Sequence, residues 1–119
     1  MIYSELDVYK RAYKLAIEIQ KFSLGLPKYL HNDIGSQIRR ASRSIPSQIA
    51  EGFSRNKSNK DKKNFLRDAL GSNEEILFNL KFMKDTDLIS SEKYDYFFDE
   101  YVICGKQLTN LMKSIDARN

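Results

Sequence analysis

Four stretches of this chain repeat apolar residues every three to four positions, the period of one helix face. From Leu6 to Leu24 the stripe is Val8, Ala12, Leu15, Ala16, Ile19 and Phe22. From Asn32 to Ser54 it is Ile34, Ile38, Ala41, Ile45, Ile49 and Phe53. From Asn59 to Asp85 it is Phe65, Ala69, Ile76, Leu80 and Met83, flanked by Leu66, Leu70 and Leu77. From Glu92 to Ala117 it is Tyr94, Phe97, Phe98, Tyr101, Cys104, Leu108, Leu111, Met112 and Ile115. The links are short, about four to eight residues, and short links join antiparallel neighbours. The pattern predicts an all-α, up-down-up-down antiparallel four-helix bundle spanning residues 1–119 as one domain.

Local signals mark the helix ends. Ser4 followed by Asp7 resembles a capping box, Ser58 with Asp61 is a second N-cap signal, and Ser91 is a plausible third. Gly25, Leu26 and Pro27 stop the first helix. Pro46 falls inside the second stripe, where proline costs about 3 kcal/mol and frees the carbonyl of Ser42. The apolar phase continues past it, so a kink is expected; a break, with Ser44 capping a new helix, is the alternative.

Composition agrees. The 119 residues are 41% hydrophobic, enough for one core, and include only 5 Gly and 2 Pro. No apolar run is long enough to cross a bilayer, and the N-terminal stretch does not read as a secretory signal. The lone cysteine, Cys104, sits on a stripe and reads as a small buried hydrophobe. The expected location is cytoplasmic, with no membrane partner.

Catalytic constellations are absent. The single histidine, His31, is far from Cys104, and no zinc-protease, nucleophile-elbow or phosphate-loop motif occurs. Glu74–Glu75 and Asp99–Glu100 are sequence neighbours, which diverge on a helix. No catalytic residue, metal ligand, cofactor or small-molecule substrate is expected, and the chain reads as a binding protein.

Charge is unevenly placed. Residues 28–67 hold ten basic and three acidic residues, whereas 68–119 hold six basic and ten acidic. On a helical wheel Arg39, Arg40 and Arg43 fall opposite Ile38, Ala41 and Ile45. Arg55, Lys57, Lys60, Lys62, Lys63 and Arg67 follow, with Glu51 one turn before Arg55 and placed to pair with it. Cations at this density neutralise phosphates with little sequence reading, so these nine residues are a candidate RNA- or DNA-binding face.

Two helices carry surplus apolar surface. Tyr9, Tyr13, Ile17 and Leu24 form a second row on the first helix. Phe78 and Phe82 lie far from the third helix's stripe, and Gly71, on the same side, would admit another backbone. Contiguous exposed apolar area marks an interface, so these residues are expected to mediate self-association.

The run QIRRASRSIPSQIAEG from Gln37 to Gly52, with ALGSNEE from Ala69 to Glu75, resembles the 23S rRNA intervening-sequence protein family. The matching residues are Ser44-Ile45-Pro46, Ile49-Ala50-Glu51-Gly52, Gly71-Ser72 and Glu75, and the opening LDVYKRAYKLA is similar as well. Gln48 stands where members usually carry Asn, which puts a tight amide contact there in question. The resemblance implies a ring-like homopentamer. It also implies kinship with the accessory variability proteins of diversity-generating retroelements, basic pentamers that work with nucleic acid. Two functional readings follow. One is an oligomer associated with nucleic acid through the basic face. The other is a protein-interaction scaffold whose arginines pair with acidic residues of a neighbour.

Overall fold

Each stripe is matched by a helix. The computed structural model describes residues 2–117 and contains α1 (Asp7–Leu24), α2 (Ile34–Gly52), α3 (Asn59–Asp85) and α4 (Ser91–Ala117). Short 3-10 turns at Tyr3–Glu5 and Lys28–Leu30 lead into α1 and α2. The long axis of 47 Å is set by α3 and α4, each about 40 Å long at 1.5 Å per residue.

Cross-helix contacts tie each helix to its neighbours. Ser23 meets Arg39 across α1 and α2, while Tyr9 and Ala50 face one groove further along. Ser44 bonds Ser72 across α2 and α3, and Gly52 faces Phe65. Lys63 near the start of α3 meets Asp116 near the end of α4, and Arg11 of α1 meets Glu100 of α4. These registers are consistent with the expected up-and-down order. Helices adjacent in sequence pack together, α1 also touches α4, and the α1–α3 and α2–α4 pairs lie across the diagonals.

The core is the inner side of all four stripes. Leu15, Ile19, Ile38, Ile45, Ile49, Leu66, Ile76, Leu80, Tyr101 and Leu108 are fully buried. Buried polar atoms are few. Asn73 donates from Nδ2 to the Tyr101 carbonyl at 2.9 Å and joins α3 to α4, while its Oδ1 and the Tyr101 hydroxyl have no partner among the described residues.

Two of the three expected caps need adjustment. Ser58 caps α3 as expected, its Oγ accepting from the Asp61 N–H at 3.1 Å. The α4 cap is Ser90 rather than Ser91, since Ser90 Oγ accepts the Lys93 N–H at 3.1 Å. The Ser4–Asp7 box does not form: Ser4 lies in a 3-10 turn closed by the Leu6 N–H on the Tyr3 carbonyl, and Leu6 stands at the N-cap of α1 without a side-chain cap. Tyr3 packs edge-on against Tyr9 at 5.1 Å, which folds this turn back over α1.

Pro46 neither breaks nor displaces the stripe. Helix α2 is one element from Ile34 to Gly52, with Ile45, Pro46 and Ile49 all buried. Ser44 is therefore not a cap. It accepts a hydrogen bond from Ser72 Oγ at 2.9 Å and ties α2 to α3.

Gly52 is where α2 and α3 approach closely. A Cβ there would stand 3.0 Å from the Phe65 Cβ. Gly52→Ala should therefore lower stability by about 1–3 kcal/mol in urea denaturation, through overpacking.

Burial pushes the Cys104 thiol up to about 12 from an ordinary 9.0; Glu100 adds to the shift and Arg11 opposes it. Burial raises the Tyr101 phenol as well. A raised folded-state value means the contribution is complete below the unfolded value and lost as pH climbs to the folded one. The thermal midpoint should fall between pH 9 and about 12, and Cys104→Ala should make that fall shallower.

Candidate nucleic-acid interface

The solvent side of α2 is polar because its apolar stripe is spent on the core. Ser36, Arg40, Arg43, Ser47 and Glu51 share that side. The nine basic residues expected to form one surface divide into two groups.

Arg39, Lys57, Lys62 and Lys63 are engaged in the fold. Arg39 does not point away from the core. Its guanidinium donates to Ser23 Oγ at 3.0 Å and to the His31 carbonyl at 2.8 Å, closing the α1–α2 link onto α2. The wheel placed it outward, but α1 covers that flank of α2. The expected Glu51–Arg55 pair is replaced by Glu51–Lys57 at 3.6 Å. Asn56, at φ 63°, turns the chain so that Lys57 returns over the Phe65 ring at 5.3 Å. Lys62 lies over the Phe53 ring at 5.5 Å, and Lys63 pairs with Asp116 at 2.6 Å.

Arg40, Arg43, Arg55, Lys60 and Arg67 are exposed, and none has an ion-pair partner among the described residues. Arg40 donates to Ser36 and Arg67 to Asn64, both neutral, so their charge is not cancelled. Arg40 shares a small hollow with Glu75 at the α2–α3 seam. Arg43 borders an apolar groove between α1 and α2. Arg55, Lys60 and Arg67 sit where α2 passes into α3, about 20 Å along the helix from Arg40. The result is an interrupted ridge rather than one patch.

The groove beside Arg43 has a volume of about 470 Å³ and is lined by Tyr9, Tyr13, Ile17, Pro46 and Ala50, with Lys21 at its edge. Tyr13 and Ile17 are 52% and 44% exposed, and Tyr9 stacks on Tyr13 at 5.9 Å. Leu24 is exposed beyond the groove's lining. On α3, Phe78 and Phe82 are 68% and 49% exposed beside a hollow shared with Ile34 and Gln37 of α2. A Cβ at Gly71 would meet nothing within 4 Å, so none of the described residues uses the approach Gly71 allows. Sequence reading missed Lys21 and Pro46 as groove residues; the wheels of α1 and α2, set in antiparallel register, carry that signal.

Among the described residues no group of three or more His, Cys, Asp or Glu is placed to hold a metal, and no helix is long and apolar enough to cross a membrane. The His31 ring is bound through Nε2 to the Leu26 carbonyl at 2.8 Å, and Cys104 is buried.

The model of the 23S rRNA-intervening sequence protein family matches residues 4–110. The chain belongs to that family. This intervening-sequence protein is similar in fold to a crystal structure, at 1.70 Å, of a protein with unknown function from the S23 ribosomal protein family of Bacteroides thetaiotaomicron VPI-5482. The TM-score is 0.79 at 25% identity, covering 89% of this chain and 95% of that one. No curated protein matches. In the intervening-sequence protein the motif residues serve packing: Ser44 bonds Ser72, Gly52 admits Phe65, and Pro46 lines the groove. Gln48 is half-buried, and its side chain makes no hydrogen bond among the described residues.

The two neighbouring arginines should respond differently to truncation. Arg39→Ala should cost about 1–3 kcal/mol in urea denaturation, because charge-assisted bonds are lost and the His31 carbonyl is stranded. Arg40→Ala should stay within about 0.5 kcal/mol.

Proposed function

We propose that this intervening-sequence protein is a non-enzymatic, self-assembling helical bundle that associates with nucleic acid in the cytoplasm. The observation that carries the reading is the set of outward cations without ion-pair partners among the described residues: Arg40, Arg43, Arg55, Lys60 and Arg67. Phosphate contacts of this kind position a nucleic acid without reading its bases, so RNA and DNA are both accommodated. Lys57, Lys62 and Lys63 add to the local field while held in place, and Arg39 supports the fold beneath. The family resemblance supports a homopentamer.

A second reading is an assembly scaffold without nucleic acid. Exposed Tyr13, Ile17, Phe78 and Phe82 favour it, since apolar patches of this kind serve protein contacts.

Salt-titrated binding to a generic single-stranded RNA separates the readings. The nucleic-acid reading expects affinity that falls steeply with salt, by about 0.7 log units per tenfold salt for each phosphate contact. It also expects Arg40→Glu/Arg55→Glu/Lys60→Glu/Arg67→Glu to abolish most low-salt affinity while circular dichroism stays unchanged. Unaltered low-salt affinity in the folded quadruple variant would remove this surface as the site.

A further inference from the structure

The α3–α4 seam carries a groove of about 530 Å³ that shares no residue with the α1–α2 groove or with the outward cations. Half-buried Leu70 and Leu77 of α3 and Val102 of α4 give it apolar walls. Asn73 lies at its base, only 1% exposed. Its Nδ2 is spent on the Tyr101 carbonyl, and its Oδ1 has no partner among the described residues. Buried acceptors are satisfied with few exceptions, so an orphan that lines a groove points to a donor arriving from outside the chain. Gly105, also in the groove, opens the way to it. A Cβ there would stand 3.0 Å from Asn73 Nδ2, so α4 sets only bare backbone against the amide at this point.

The two walls carry opposite charge. Glu74 stands on the α3 wall next to Asn73, and Lys106 and Lys113 stand on the α4 wall, two turns apart on one face. Helical side chains lean toward the N-terminus of their helix, so Lys113 leans back along the groove toward Gly105. None of these three charges forms an ion pair among the described residues. One wall thus offers two acceptors, the other offers two ammonium groups, and hydrocarbon lines the space between. A simple anion would leave Asn73 Oδ1 and Glu74 unanswered, and a simple amine would face two lysines. A compact zwitterion with an apolar body answers all three features.

We propose that the α3–α4 groove binds a free α-amino acid with an apolar side chain. The ligand ammonium donates to Asn73 Oδ1 and to Glu74, its carboxylate accepts from Lys106 and Lys113, and its side chain lies against Leu70, Leu77 and Val102. The groove's volume is in the range of small-molecule sites, and a few convergent polar groups on apolar walls are their usual make-up. The site stands apart from the nucleic-acid reading, since none of its residues belongs to the outward cations.

Calorimetric titration of the full chain tests this, with L-leucine and L-phenylalanine as probes. L-leucinamide lacks the carboxylate and 4-methylpentanoate lacks the ammonium. Each should bind at least about tenfold more weakly than L-leucine, because a charge-assisted bond is lost. Glu74, Lys106 and Lys113 are exposed, so Glu74→Gln and Lys106→Met/Lys113→Met should keep wild-type circular dichroism. The double lysine variant should lose the preference for L-leucine over L-leucinamide, and Glu74→Gln the preference over 4-methylpentanoate. In wild type, the Asn73 side-chain amide resonances should shift saturably with L-leucine, a reading that needs no variant. If neither amino acid binds, Asn73 Oδ1 serves a water alone and the proposal is overturned. Equal affinity for L-leucine and both analogues, or saturation that leaves the Asn73 resonances unmoved, overturns it as well. None of these outcomes bears on RNA binding, which the salt titration reads separately.

Discussion

The bundle depends on how closely α2 approaches α3. Gly52 lies against Phe65, Ser44 bonds Ser72, and Ile38, Ile45 and Ile49 are sealed between α1 and α3. Proline within α2 is tolerated because its ring is buried on the α1 side and the stripe keeps phase on both sides of it. Interior proline is costly in an isolated helix, but tertiary packing outweighs local propensity when both flanking turns are buried. With α2 held in this way, its remaining surface is free to be polar.

That division explains the fate of the charges. A cation at the flank of α2 is drawn into the fold wherever a neighbouring helix supplies acceptors, as α1 and its link do for Arg39. A cation on the outer side finds none and remains available to solvent or a partner, as Arg43 does. One sequence run, Gln37 to Gly52, thus combines structural and exposed arginines one residue apart. The family likeness is carried largely by the packing residues of that run. It is accordingly stronger evidence of fold than of any ligand.

Much of this was legible in the chain. The apolar period located all four helices to within about two residues at each end, since burial of one face is a strong, local signal. The rows at Tyr13, Ile17, Phe78 and Phe82 stood out as excess over one stripe, and all are exposed. What escaped notice depended on partners distant in sequence. Arg39 reads as a surface residue until α1 is placed beside it. Lys57 displaces Arg55 as the partner of Glu51 only because Asn56 adopts a left-handed turn. Ser4 looked like a cap, but Tyr3 found a better contact on Tyr9.

The buried amide of Asn73 acts on the chain as a whole. It gives a hydrogen bond to the Tyr101 carbonyl, and a Cβ at Gly105 would come within 3.0 Å of its Nδ2. Apolar stripes alone tolerate a slide of one helical turn, because leucine and isoleucine recur at every turn. A slide of α4 along α3 would strand the carboxamide in hydrocarbon and replace the notch at Gly105 with a side chain. The amide and the missing methyl therefore work as key and slot. They let a pair of long, greasy helices settle in one alignment out of several that would bury similar area.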